Sequence, residues 1–253
     1  MGALPQPATI IGSPVSPYVR KVLAVCEIKG VPYQVDPIVP FYGGEQLSEL
    51  NPLRRVPVYI DDLVSISDST VICEYLEERF PEPRLLPQGI AERTRARWIE
   101  EFADTRMGDV FIWRIFNEAV INPVVWQKKR DKESYARALA EDVPQVMTDL
   151  ERFAPAGGLL FGEASIADIA VAVFYRNLVW ARAEPDKSRW PRTCAWIERA
   201  TAVPGLAKVT RVADRLVQTP LADHRRVAAE IGLPLSPSSV ATDTPRRGPM
   251  TVG

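Results

Sequence analysis

Short apolar segments separated by turn residues make up the first 80 residues. Residues 8–11 form an apolar run that predicts a strand, and a Gly-Ser-Pro turn follows it. Ser16 then stands at the N-cap position of a predicted helix, with Pro17 in its first turn, and helical apolar spacing continues to Gly30. A second strand is predicted within residues 31–39. Because parallel strands need a crossover of this length, we expect a βαβ unit.

A hairpin and a second helix complete this part of the chain. Residues 43–51 predict a short helix or an irregular loop. Residues 56–60 predict a strand that pairs, after an Asp-Asp turn, with residues 63–66. A helix is expected to open at residues 67–69 and to end at a Pro-Glu-Pro segment. The order βαβ-ββα predicts an α/β domain over residues 1–80 with a mixed four-stranded sheet.

Helical spacing replaces the strand signals in the rest of the chain. Residues 81–90 are punctuated by prolines and predict a linker. An all-α helical bundle is expected over residues 91–231. Its long helical stretches are residues 91–119, 132–153, 166–183 and 190–217, the last broken near Pro204. Residues 232–253 are rich in Pro, Ser and Thr, lack periodicity and predict a disordered tail.

One of these helices carries a distinct start signal. Ser165 is its predicted N-cap and Asp168 follows three residues later, ahead of an apolar run. This is a shortened capping box, which we interpret as structural: it starts a buried helix.

Charge and cysteine content narrow the class of protein. The formal net charge is -1, so no general attraction to nucleic acid or to anionic lipid is expected. The sequence has no apolar stretch of membrane-spanning length and no secretory signal at its start. Its three cysteines occur singly, which favours a reducing compartment over a disulfide framework. We expect a cytoplasmic protein without a membrane partner.

The single histidine excludes several kinds of site. His224 is the one imidazole in the chain. A His-based hydrolytic triad or a multi-His zinc site would have to rest on it alone, so no metal is expected. His224 itself is expected to be a solvated helix residue.

Ser16 is the first candidate for chemistry. Its hydroxyl is predicted to lie at a helix start, beside unpaired amides and the positive end of the helix dipole, where a thiolate is stabilised. The alternative is that Ser16 only caps the helix.

Two further segments could bind a peptide-like ligand. A cis peptide bond before Pro57 would turn the N–H and C=O of Val56 outward to pair with an extended ligand. The neighbouring Arg55 is either part of the site or a surface charge. At the next helix start, Ser69 and nearby amides could hold a carboxylate and Asp68 an ammonium group. Capping is again the alternative for Asp68.

Four motifs occur in the order and spacing of one family. They are SPYVRKVLAVCEIKGVPYQ, NPLRRVPVYID, SDSTVICEYLEERFP and GEASIADIAVA. Together they resemble the glutathione transferase superfamily over about residues 8–217. The resemblance implies a thioredoxin-like, glutathione-binding first domain, a helical second domain and a homodimer.

The resemblance also implies roles for single residues. Ser16 matches the position whose hydroxyl or thiol faces the glutathione sulfur, and Val56 the residue that pairs with the cysteinyl backbone. Asp68 and Ser69 match the pair that grips the γ-glutamyl end, and Arg55 a basic position near the glycyl carboxylate. Two departures are visible: Asp68 is shorter than the usual Glu or Gln, and residues 40–46 lack the lysine that some serine-type classes carry there.

Two classes of function follow. The first is a glutathione transferase that stabilises the glutathione thiolate for attack on a small, hydrophobic electrophile, as in detoxification. Dehalogenation, ether cleavage and isomerisation stay open, whereas thiol transfer needs a cysteine where Ser16 stands. The alternative is a non-enzymatic regulator or scaffold on the same fold. The second substrate is expected between Val15, Met107 and Phe111.

Overall fold

The computed structural model describes residues 6–249. The chain divides into two compact units. The first consists of residues 1–83 together with residues 204–253, and the second of residues 84–203.

A four-stranded mixed sheet forms the centre of the first unit. Its strands are β1 (Ala8–Ile11), β2 (Tyr33–Asp36), β3 (Val58–Ile60) and β4 (Ser65–Ser67). In the order β2-β1-β3-β4, β1 pairs parallel with β2 and antiparallel with β3, and β3 pairs antiparallel with β4. The predicted mixed sheet and its strand order along the chain are confirmed.

Helices make up most of the rest of the described chain. In chain order they are α1 (Pro17–Lys29), α2 (Glu45–Leu50), α3 (Ser69–Arg79), α4 (Ile90–Phe102), α5 (Asn122–Val125), α6 (Lys132–Arg137), α7 (Val143–Phe153), α8 (Ile166–Trp180), α9 (Pro191–Thr201), α10 (Pro204–Leu216) and α11 (His224–Glu230). Two π-helical segments, Ala103–Ile121 and Ala138–Asp142, continue α4 into α5 and α6 into α7. Two short 3₁₀ turns lie at Pro40–Tyr42 and Leu221–Asp223.

The predicted extent of the helical domain differs from the structure. Helix α10 packs against α1, and so belongs to the first unit rather than to a bundle over residues 91–231. Gly205 makes the approach close, since a Cβ there would lie 2.7 Å from Cγ1 of Ile28. An ion pair of 2.7 Å between Lys208 and Glu27 adds to this contact. Helical periodicity indicates that a face is buried, but not which partner buries it.

The expected disordered tail is ordered up to residue 249. Residues 234–246, here named the C-terminal strap, run beside the edge strand β2. Val35 donates its N–H to the carbonyl of Pro234 (2.8 Å) and accepts from the N–H of Ser236 (3.0 Å), which forms a parallel bridge. The remainder of the predicted tail, residues 250–253, lies outside the described residues. Main-chain bonds of this kind need no side-chain periodicity, which is why the sequence pattern gave no sign of them.

The buried carboxylate of Asp36 anchors the strap. One of its oxygens pairs with Arg225 (3.3 Å), and the other accepts the N–H of Val240 (2.8 Å). His224 also differs from expectation: it is 6% exposed, and its Nε2 lies 3.1 Å from the carbonyl of Thr219. It is thus a core histidine rather than a solvated one.

Helix α8 is buried on nearly every side and forms the centre of the second unit. The predicted capping box at its start is confirmed. Ser165 Oγ accepts the N–H of Asp168, and the Asp168 carboxylate accepts the N–H of Ser165 (3.0 Å). Among residues 6–249, no helix is long and apolar enough to cross a membrane.

Candidate functional site

The strand register brings three predicted site segments to one edge of the sheet. Ile11 pairs with Asp36 and with Val58, and Val58 pairs with Ser67. Strands β1, β2 and β4 therefore end, and β3 begins, at the same edge. The loops that carry Ser16, Val56 and the pair Asp68–Ser69 all leave the sheet there.

Ser16 does not use its hydroxyl as a helix cap. It stands at the N-cap of α1 with extended torsions (φ -68°, ψ 128°), yet its side chain accepts no bond from the described first-turn amides. The loop is held by main-chain contacts instead, since the N–H of Ser16 donates to the carbonyl of Ser13 (2.9 Å). The N–H of Ser13 in turn donates to the carbonyl of Ile38 (2.6 Å). The half-buried hydroxyl thus lies at the positive end of α1 without a capping role.

Arg20 is a buried residue next to the Ser16 loop that the sequence analysis missed. Its side chain is fully buried, and its guanidinium donates to the carbonyls of Pro14 (2.8 Å) and Val15 (3.0 Å). It therefore places a cation beneath the loop that carries Ser16. A buried cation favours an anion nearby. The available signal was its position one helical turn after Ser16, on the face where α1 was expected to be apolar.

The main chain of Val56 is open for pairing. The peptide bond between Val56 and Pro57 is cis. No described residue pairs with the N–H or C=O of Val56. Gly12, with φ +142°, lets the end of β1 approach this segment, since a Cβ there would lie 2.9 Å from the Cβ of Val56 and 2.5 Å from Cγ2 of Val19.

The two adjacent arginines have different surroundings. Arg54, at φ 53°, donates to the carbonyl of Gly43 (2.6 Å) and to Oγ of Ser48 (2.5 Å), and so fastens the start of α2. Arg55 is exposed, and its guanidinium makes no ion pair within the described residues. Of the two, Arg55 is the cation available to a bound anion.

Asp68 combines a cap with a free carboxylate oxygen. Its Oδ1 accepts the amides of Thr70 (2.9 Å) and Val71 (3.3 Å), so the capping alternative is correct for this oxygen. Its Oδ2 takes no hydrogen bond from the described residues, and the side chain is exposed. Ser69 follows as the first residue of α3 and is buried. The cap and an ammonium-binding role can therefore coexist.

The strap covers the segment that lacks a lysine. Val240 accepts the N–H of Gly44 (2.8 Å). Arg246 donates its N–H to the carbonyl of Phe41 (2.7 Å), and its guanidinium contacts Glu45. The strap thus holds residues 41–45 in place through contacts from a distant part of the chain.

The expected second-substrate residues differ in burial. Val15 is half-buried in the loop before Ser16. Met107 and Phe111 have no exposed surface, which is typical of core packing, so their burial gives no support to a pocket role.

The three cysteines are core residues. Cys26, Cys73 and Cys194 form no disulfide and are buried within helices. Burial raises the pKa of the Cys26 thiol far above its usual range and also raises the pKa of Cys194. Buried, protonated thiols are poor nucleophiles, so a reacting sulfur at this site would have to come from a ligand.

Comparison with known proteins gives a family match for the same region. The family model for the glutathione S-transferase N-terminal domain matches residues 10–84. Two solved structures share the fold. One is a glutathione S-transferase from Rhodospirillum rubrum, with a TM-score of 0.72 and 23% identity; the match covers 80% of this chain and 91% of that one. The other is a glutathione S-transferase from Methylobacterium radiotolerans in complex with glutathione sulfonate, with a TM-score of 0.67 and 24% identity; the match covers 81% of this chain and 94% of that one.

Curated relatives differ in how much of the chain they match. A stringent starvation protein A homolog of Haemophilus ducreyi is 41% identical over 28% of this chain and 33% of its own length. A maleylacetoacetate isomerase of Rattus norvegicus is 43% identical over 29% and 37%. These matches span well under two thirds of those relatives. The GST-like protein YibF of Escherichia coli is 30% identical over 70% of this chain and 84% of its own length. On this match the chain belongs to the glutathione S-transferase family.

Proposed function

We propose that this protein is a glutathione transferase in which Ser16 stabilises the thiolate of bound glutathione for attack on a small, hydrophobic electrophile. The observation that carries the proposal is the Ser16 hydroxyl, which lies at the N-terminus of α1 without capping it. The buried cation of Arg20 beneath the same loop supports the same role.

The arrangement accounts for how a thiol would be activated. A free thiol has a pKa of about 8.5, so only a few per cent is thiolate at neutral pH. A hydrogen bond donated by Ser16 Oγ, the α1 dipole and Arg20 all favour the anion. The thiol proton leaves to solvent, and the thiolate then forms a bond to the electrophilic carbon. That carbon either loses its leaving group as an anion or, where it belongs to an activated double bond, passes the electron pair on so that the neighbouring carbon takes up a proton from solvent. The protein supplies no covalent nucleophile.

The other edge segments would orient the tripeptide. Val56 offers a main-chain donor and acceptor for the cysteinyl backbone. Asp68 Oδ2 would accept from the γ-glutamyl ammonium, while Ser69 and the start of α3 would hold its carboxylate. Arg55 would pair with the glycyl carboxylate.

A pH series of binding and turnover tests the role of Ser16. If the bound thiol has a lowered pKa, glutathione affinity rises with pH from that lowered pKa up to about 8.5, where the free thiol ionises. Ser16→Ala should flatten this rise and lower the rate with a chlorodinitrobenzene by about 10- to 150-fold, the worth of a hydrogen bond to a charged group. Ser65→Ala, at the opposite end of β4, is the matched control. Equal rates and pH profiles in all three proteins would refute the role.

A binding protein without catalysis is the second candidate. One relative is named for stringent starvation rather than for a reaction, and residues 40–46 lack a lysine for the glycyl end. Binding of glutathione without turnover of any electrophile in a broad panel would favour this candidate. The relative named as an isomerase makes double-bond isomerisation part of that panel.

A further inference from the structure

Cations are concentrated in the connection between α5 and α6. Within residues 127–132 the sequence carries Lys128, Lys129, Arg130 and Lys132, whereas the whole chain has a formal net charge of -1. This run plays no part in the site at the sheet edge, and a run of charges alone is usually a solvated surface.

The cations line an open depression of the surface. This cavity, of about 490 Å³, is bordered by the connection and is largely open to solvent. Its lining residues are Pro123, Gln127, Lys128, Lys129, Arg130 and Lys132. Small-molecule sites are typically about 300–1,000 Å³, so the cavity has the size of a small ligand.

The connection is held in a defined shape. Glu118 accepts the N–H of Asp131 with one carboxylate oxygen (2.9 Å) and Nδ2 of Asn122 with the other (2.8 Å). The N–H of Lys128 donates to the carbonyl of Asn122 (3.0 Å), and Arg130 lies over the ring of Tyr135 (4.5 Å). The main chain that presents the four cations is thus preorganised.

The nearby carboxylates do not pair with these cations. Asp131 accepts the amides of Glu133 and Ser134 and the hydroxyl of Ser134, so it caps α6. Glu118 is bonded to neutral N–H groups, as described above. Within residues 6–249, none of the four cations forms an ion pair. Four positive charges against the carboxylates of Glu118, Asp131 and Glu133 leave a local excess of one.

We propose that this cavity is a binding site for a compact small molecule that carries two or more phosphate groups. Lys and Arg side chains that line one cavity match the charge density of clustered phosphates. Four of the six lining residues are cations and the cavity is open to solvent, so it suits a compact, highly charged ligand that stays partly hydrated. The site is separate from the proposed glutathione function and does not depend on it.

Calorimetric titration of the full chain with inorganic triphosphate tests the proposal. At low salt, triphosphate should bind at one site, more tightly than pyrophosphate, and orthophosphate should bind most weakly. Raising the salt should weaken binding, since exposed charges are screened. The double variant Lys128→Gln/Lys129→Gln should lower the triphosphate affinity by about 3- to 30-fold, from the typical worth of two exposed charge contacts.

A control variant separates the cavity from overall charge. Arg95→Gln/Arg211→Gln removes the same charge from two exposed positions that do not line the cavity, and it should keep the parent affinity. Absence of triphosphate binding at low salt, or equal losses in the two double variants, would overturn the proposal. So would tighter binding of a single-stranded oligonucleotide, of a polyglutamate peptide or of phosphoinositide vesicles than of triphosphate, since each points to a macromolecular or lipid surface instead.

Discussion

Asp68 shows how one side chain can serve the fold and a ligand together. Its backbone torsions (φ 81°, ψ 124°) are ones that residues with a side chain rarely adopt. Such a conformation persists where the surrounding structure or a function requires it. Here Oδ1 caps α3, while Oδ2 accepts no hydrogen bond from the described residues.

Replacing Asp68 by asparagine should separate the two roles. Asp68→Asn keeps an oxygen that can cap α3 but removes the charge, so it should weaken glutathione binding by about 5- to 30-fold while leaving thermal unfolding nearly unchanged. Asp68→Ala loses the cap as well and should cost about 1 kcal/mol of stability in addition. Calorimetric titration and thermal unfolding measure the two effects. Equal glutathione affinity in parent and Asp68→Asn would remove this residue from the site.

His224 predicts a pH dependence of stability. Burial, the largest cause, lowers its pKa below the ordinary value of about 6.5. The folded state then favours the neutral imidazole, whereas the unfolded state takes up a proton below about pH 6.5. Stability is therefore full above that pH and is lost as the pH falls from there to the folded pKa. In denaturant titrations between pH 7 and pH 5, His224→Gln should lose less stability than the parent. A parallel decline would contradict this.

The start of α8 depends on more than its capping box. Asp168 accepts not only the main-chain and hydroxyl groups of Ser165 but also the N–H of Leu160 (3.1 Å) and Nε1 of the buried Trp196 (2.6 Å). One carboxylate thus joins α8 to α9 and to the preceding loop. The sequence spacing predicted the cap, but not the two partners that are distant from it along the chain.

The two halves of the capping box should differ in their effect on stability. Ser165→Ala should cost about 0.5–2 kcal/mol, the usual worth of an N-cap. Asp168→Ala leaves several buried donors unpaired and should cost about 3–5 kcal/mol. Denaturant unfolding measures both, and glutathione affinity should stay unchanged if the box is structural. Similar losses in the two variants would show that the additional bonds to Asp168 contribute little.

Local signals along the chain predicted most helices and strands. The features that they did not predict depend on which other groups a residue contacts in the fold. The four strands, the starts of α1, α3 and α8, and the residues of the sheet-edge loops were all readable from turn, cap and periodicity patterns. The burial of Arg20 could not be predicted in this way, because it depends on the carbonyls of Pro14 and Val15 that accept hydrogen bonds from its guanidinium. The sequence also did not show that α10 belongs to the first unit, since this depends on the contact between Gly205 and Ile28, which are more than 170 residues apart along the chain.

The C-terminal strap is another part of the first unit whose order could not be predicted from local sequence. It extends the sheet beyond β2 and then follows residues 41–45, so it binds mostly through main-chain groups. Proline, serine and threonine suit such an irregular path, and they are also the composition expected of disorder. The segment is ordered rather than disordered because the folded unit supplies binding partners for it, above all Asp36 and Arg225.

Removing the strap should loosen the edge of the sheet beside the candidate site. A chain ending at Leu233 loses the strap bonds to Val35 and Gly44 and one partner of the buried Asp36 carboxylate. In the parent, ordering the strap costs conformational entropy that offsets much of what these bonds contribute, so we expect the truncation to destabilise the fold by only about 1–3 kcal/mol. The amides of Val35 and Gly44 should exchange with solvent much faster, and glutathione affinity should fall, because residues 41–45 are no longer held. A chain shortened only by residues 250–253 is the matched control. Unchanged exchange at both amides in the Leu233 truncation would show that the strap contributes nothing to holding this segment.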